Sequence, residues 1–134
     1  MLIGVAVAAA LVCVQVVGGF VREAVTDESS YLELVQTCLV ERSTPFEPVS
    51  GDPIALSAKR GSLRTNVEGN SVTVALGGSE DDAERVLQAY ASVAAPGVFG
   101  TLLDRRRKVV LLWDTEPTAS QREFMELCTR DAQE

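Results

Sequence analysis

The chain has 134 residues, a formal net charge of −7 and no histidine. Without imidazole there is no Ser-His-Asp or Cys-His nucleophile, no histidine-based zinc site and no ordinary general base near neutral pH. The acidic balance argues against nucleic acid as the main partner, and against broad attachment to anionic lipid, because both require a basic surface.

Residues 1–21, MLIGVAVAAALVCVQVVGGFV, carry no charged side chain, and every charge lies at or after Arg22. At a helical rise of about 1.5 Å per residue this stretch is long enough to span a bilayer core. It lacks the basic leader and the clear small-residue cleavage site of a signal peptide. The expectation is an uncleaved transmembrane signal-anchor helix over 1–21, making the protein single-pass in the cell membrane; the alternative is a secreted domain after cleavage. Cys13 follows Val12, where a lipidation site wants a small residue, so it reads as an apolar thiol within that helix. Residues 22–30 read as a juxtamembrane linker. Residues 31–134 read as an extracytoplasmic α+β domain.

Tyr31, Leu34, Val35 and Cys38 recur at helical spacing and predict a helix over Tyr31–Glu41. Pro45 and Pro48 mark a loop from Ser43 to Gly51. Asp52-Pro53 is a cap followed by a first-turn proline, and Gly61 is a stop, so a short helix is predicted over Pro53–Arg60, with a strand as the alternative. Leu63–Val67 and Ser71–Leu76 alternate apolar with polar residues around Glu68-Gly69-Asn70, the clearest hairpin signal in the chain. After Gly77-Gly78, Ser79 with Asp82 resembles a capping box, and Ala83, Val86, Leu87, Tyr90 and Ala94 form the apolar stripe of the next helix. Pro96-Gly97 ends it. Val109–Trp113 is continuously apolar and reads as a buried central strand. Thr118 with Gln121 forms a second capping box, and Phe124, Leu127 and Cys128 line the last helix. The β-β-α-β core predicts a three-stranded sheet in order 2-1-3, with the third strand parallel to the second through a right-handed crossover.

Cys38 and Cys128 are the pair of cysteines outside the apolar segment, and both fall on apolar stripes. In an oxidising compartment they are expected to form a disulfide, closing a loop of about 90 residues. Asp104 followed by Arg105, Arg106, Arg107 and Lys108 reads as a solvated turn and, secondarily, as an interaction patch for an acidic partner. Gly77-Gly78-Ser79 precedes a helix, but Glu80, Asp81 and Asp82 repel an anion there, so a structural cap is favoured over a phosphate cradle. The carboxylates Glu80, Asp81, Asp82 and Glu84 lack the spacing of a calcium loop. Trp113-Asp114-Thr115 stands where a strand gives way to a loop.

These features point to a membrane-tethered interaction or accessory domain without catalysis, tied to the membrane through 1–21 and meeting a protein partner in the envelope. The alternatives are a small-ligand-binding or sensory domain and a carboxylate-dependent hydrolase of envelope polymer. No cofactor, metal site or catalytic residue is expected.

Overall fold

The computed structural model describes residues 31–93 and 100–133, all within the unit Tyr31–Glu134. In chain order they form helix α1 over 31–41, strand β1 (Phe46–Glu47), helix α2 (Pro53–Leu56), β2 (Ser62–Val67), β3 (Asn70–Leu76), α3 (Glu80–Val93), β4 (Leu103–Arg106), β5 (Val109–Trp113) and α4 (Ala119–Thr129). A 3-10 turn, Asp131–Gln133, follows α4. The expected anchor 1–21, Cys13, the linker 22–30, Ala94 and Pro96-Gly97 lie outside the described residues. Among the described residues no helix is long and apolar enough to cross a membrane.

The hairpin forms as its alternation demands, with Leu63 opposite Val74 and Thr65 opposite Val72. Its turn is tighter than Glu68-Gly69-Asn70. Glu68 (φ 51°) and Gly69 (φ 84°) both take the left-handed conformation, the pattern of a two-residue turn whose twist matches the flanking strands. Asn70 therefore belongs to β3 and is buried.

All neighbouring strands are antiparallel, and the five strands run in the order β1-β2-β3-β5-β4. The expected α+β class is present, but the strand order and one orientation differ from the expectation. Of the three predicted strands, the last (β5) lies beside β3 rather than β2, and antiparallel to it. The reason is β4, hidden in the sequence under Leu103-Asp104-Arg105-Arg106. The crossover through α3 delivers β4 parallel to β3, and a turn at Arg107-Lys108 sends β5 back between the two. Val109–Trp113 is thus an interior strand, as its apolar run requires.

The sheet is covered on both faces. On one, Leu63, Val67, Val72, Val74, Val109, Leu111 and Trp113 pack with Val35 and Leu39 of α1 and Met125 and Cys128 of α4. On the other, Ala75 and Val110 meet Ala58, Ala83, Val86 and Tyr90. The buried face of α1 centres on Val35 and Leu39, whereas Leu34, counted in the predicted stripe, is 45% exposed. Likewise α4 buries Gln121, Met125, Cys128 and Thr129, while Leu127 faces out.

Cys38 and Cys128 are joined by a disulfide across Cα atoms 5.4 Å apart. One turn further on, the Arg42 guanidinium sits 5.8 Å from the centre of the Phe124 ring, one turn before Cys128. Residues ascending along α1 meet residues descending along α4, so the two helices run antiparallel on the same face.

Helix α2 is shorter than Pro53–Arg60. Asp52 caps it, accepting from the N–H groups of Ile54 and Ala55 at 3.0 and 3.1 Å. Beyond Ala58, whose N–H still donates to the Ala55 carbonyl, the backbone donors have other acceptors: Lys59 N–H donates to Asp82 and Arg60 N–H to the Leu76 carbonyl. Those bonds draw the chain out of the helix before Gly61. The second oxygen of Asp52 accepts the Tyr90 hydroxyl at 2.5 Å. Burial first, then this carboxylate, raises the Tyr90 phenol well above its ordinary value of 10.0. A raised folded-state pKa means that this contribution is complete below pH about 10 and is lost as pH climbs above it. Tyr90→Phe is expected to flatten the alkaline fall in stability, measured by urea unfolding from pH 9 to 11.

The capping box of α4 forms in full, Thr118 accepting from Gln121 N–H and Gln121 from Thr118 N–H. Gln121 also accepts from Asn70 at 3.2 Å and donates to the Val67 carbonyl at 3.2 Å. Asn70 in turn bonds both the N–H and the carbonyl of Thr115. One buried amide pair thereby fixes the hairpin, the β5–α4 loop and the start of α4. Gln121→Ala leaves several of these groups without partners and is expected to cost about 2 kcal/mol, read from the denaturation midpoint.

Candidate functional site

The basic run does not form a free turn. Residues Leu103–Arg106 are strand, and strand alternation sends neighbouring side chains to opposite faces. Arg105 turns toward α3, 3.5 Å from Glu84 and donating to the Glu80 carbonyl at 3.1 Å. Arg106 turns toward α4, 3.3 Å from Asp104 and 3.8 Å from Glu126. Arg107, in the turn, lies 3.8 Å from Glu80. Lys108 is half-buried, and its carbonyl accepts from Gly77 N–H. The cations are thus divided between two faces and matched by acids from two helices. Being partly exposed, these pairs contribute little each. Replacing Arg105 and Arg106 together with Gln is expected to lower stability by no more than about 1 kcal/mol in thermal unfolding. A charged, short outer strand also discourages edge-to-edge pairing of sheets.

Gly77-Gly78-Ser79 is occupied from within. Ser79 Oγ accepts from Asp82 N–H at 3.1 Å, the first half of the expected capping box. The second half is moved by one residue and extended: Asp82 Oδ2 accepts from Gly78 N–H at 3.0 Å and from Lys59 N–H at 3.0 Å. Its other oxygen takes Arg85 at 2.6 Å, and Arg85 donates onward to the Ser57 carbonyl at 3.0 Å. Gly78 N–H is thus bonded to this carboxylate, Gly77 N–H to the Lys108 carbonyl and Asp82 N–H to Ser79, which leaves none of these three for a phosphate. Gly77 is required by space, since a Cβ there would stand 2.8 Å from Ala83 N and 2.9 Å from the Ser79 carbonyl. Asp82 is 4% exposed. Burial by itself pushes its pKa up, but the Gly78 and Lys59 N–H groups and Arg85 outweigh that and hold it below the usual 3.8.

The remaining acids of α3 are dispersed. Glu80 and Glu84 face Arg107 and Arg105, and no group of three or more potential metal ligands occurs among the described residues.

Trp113-Asp114-Thr115 divides into separate roles. Trp113 closes the core at the end of β5. Asp114 pairs with Arg64 at 2.5 Å, and Thr115 is held by Asn70. Among the described residues, the surface clefts include two beside these groups. One, of about 240 Å³, lies over the β1–β2 edge and is lined by Phe46, Glu47, Arg64, Asn66 and Ser71. The other, of about 150 Å³, lies at the end of β5 and is lined by Gly100, Thr101, Leu103, Trp113, Pro117 and Arg122. Sequence reasoning singled out Trp113 but missed Arg122 and Thr101. Arg122 is an ordinary surface cation by sequence, and nothing in the local pattern brings it to Trp113. No protein-family model matches this chain, and no curated protein and no solved structure matches it.

Proposed function

We propose that this chain is a membrane-tethered, extracytoplasmic interaction or accessory domain, held by residues 1–21 and acting through a protein partner in the envelope rather than through catalysis. The observation that carries this reading is the Cys38–Cys128 bridge. Disulfides persist in oxidising compartments, and an uncharged N-terminal stretch long enough for a membrane helix is the means to deliver a domain there. The bridge and the apolar stretch are independent features of the chain that agree on one location.

Protease treatment of intact cells tests the placement. The folded domain is expected to be cleaved without breaking the membrane, to remain with the membrane fraction at high salt, and to carry no free thiol at Cys38 or Cys128. A protected domain with both thiols free would overturn the reading. A domain recovered in the medium with an N-terminus beyond the apolar stretch would favour secretion after cleavage.

A second reading, a small-ligand-binding domain, is favoured by one observation: Trp113, which lines the cleft at the end of β5, carries a buried indole N–H with no partner among the described residues.

A further inference from the structure

We propose that the cleft at the end of β5 binds a carboxylate group, held by the Arg122 guanidinium and the Trp113 indole N–H. This extends the small-ligand reading and does not depend on where the domain resides.

Trp113 is 2% exposed, and its Nε1 is buried without a hydrogen-bond partner among the described residues. A buried N–H with no acceptor is costly, and such groups are rare in native structures. Trp113 lines the 150 Å³ cleft and also a smaller cavity of about 10 Å³ that reaches Arg106, Glu126 and Thr129. Arg122 lines both as well.

Arg122 differs from the cations of β4. Arg105, Arg106 and Arg107 each face an acid, while Arg122 makes no ion pair among the described residues. Asp104, the carboxylate on the cleft lining, is turned to Arg106 at 3.3 Å. The cleft is therefore lined by one guanidinium with no ion pair among the described residues, by Trp113 with its unpartnered indole N–H, and by Thr101.

That donor set suits a planar monoanion. A carboxylate accepts two parallel N–H bonds from a guanidinium and keeps lone pairs for a further donor. A phosphate dianion would bring a second negative charge toward Asp104 and Glu126, which the single free cation does not offset. The cleft volume admits a carboxylate with a short stem, supplied by a peptide C-terminus or by a free small acid.

Trp113 is the single tryptophan of the chain, so its indole N–H gives one unambiguous resonance beside this cleft. The full chain in mild detergent, labelled with nitrogen-15, is titrated with N-acetylglycine, with the neutral N-acetylglycinamide, and with N-acetyl-alanyl-alanine. The two carboxylates are expected to shift the indole resonance saturably at millimolar concentration, and the amide to leave it in place. Arg122→Gln, at an exposed position, is expected to weaken binding by at least about tenfold. Arg130→Gln, an exposed cation beyond the C-terminal end of α4, is expected to bind as the unaltered chain does. Tighter binding of the dipeptide identifies a peptide terminus as the source, and equal binding a free small acid. Equal shifts with acid and amide, no saturable shift, or undiminished binding by Arg122→Gln would each overturn the proposal.

Discussion

Replacing Cys38 and Cys128 together with alanine is expected to destabilise the domain by on the order of 4 kcal/mol. The bridge spans a sequence separation of 90, so the oxidised unfolded chain is confined to a large loop that the alanine variant escapes. The folded state has its own reason to suffer. The bridge pins α4, the last helix, to α1, the first described one, beside Arg42 over Phe124 and the shared core of Val35, Leu39 and Met125. Without the bridge, α4 is held by Met125 packed in the core, by its capping box and by Gln121. Urea unfolding of the oxidised chain, the reduced chain and the double-alanine variant measures the effect. Reduced and double-alanine proteins should unfold together at a markedly lower midpoint, with loss of α4 preceding loss of the sheet in hydrogen exchange. A midpoint shift worth under about 1 kcal/mol would mean that the unfolded chain is already restricted without the bond.

Asp82→Asn is expected to cost about 3 kcal/mol at neutral pH. The carboxylate is buried and accepts from two backbone N–H groups and a guanidinium, and an amide of the same shape satisfies the N–H groups poorly and leaves Arg85 without its counter-charge. The effect has a defined pH dependence. The folded-state pKa of Asp82 is lowered from 3.8. A lowered carboxylate pKa contributes stability that is present above the unfolded value and is lost as pH falls through the folded one. The difference between the unaltered chain and Asp82→Asn should therefore be constant from pH 5 to 7 and narrow below about pH 4. A gap that stays constant down to pH 2.5 would show that packing, rather than the charge, is what Asp82 contributes.

These two positions differ in how far they could be read from sequence. The disulfide follows from residue type and periodicity: a pair of cysteines, each on the apolar stripe of a helix, in a chain with an apolar N-terminal stretch. The sequence places Asp82 in a cap with Ser79, and Ser79 does accept from its N–H. Its larger role, gathering the end of α2, the Gly77-Gly78 turn and Arg85, depends on Lys59 being brought close from twenty-three positions earlier. The basic run shows the same limit. Its charges are plain in the sequence, but pairing with Glu80, Glu84 and Glu126 requires β4 to lie between α3 and α4. The cleft at Trp113 is the extreme case, since Arg122 and Thr101 become its neighbours only through the β5–α4 loop and the approach to β4.

Local signals by themselves determined most of the elements: the hairpin through strict alternation and a Glu-Gly turn, β5 through its unbroken apolar run, α4 through Thr118 and Gln121, and α3 through its 3.6-residue stripe. Each depends on residues within a few positions of one another, so a short window of sequence contains the whole cause. Tertiary structure alone decided the strand order, the two short strands and the exact faces of α1 and α4. Strands β1 and β4 have too little apolar content to declare themselves, and they are strands because β2 and β5 present unpaired backbone N–H and C=O groups beside them. Inserting β4 reversed β5 relative to the simple crossover and moved it to the side of β3. Likewise Leu39 and Met125, rather than Leu34 and Leu127, point inward because the sheet's twist and the antiparallel seam of α1 and α4 set how each helix is turned, a rotation that a helix's own periodicity leaves free by one residue.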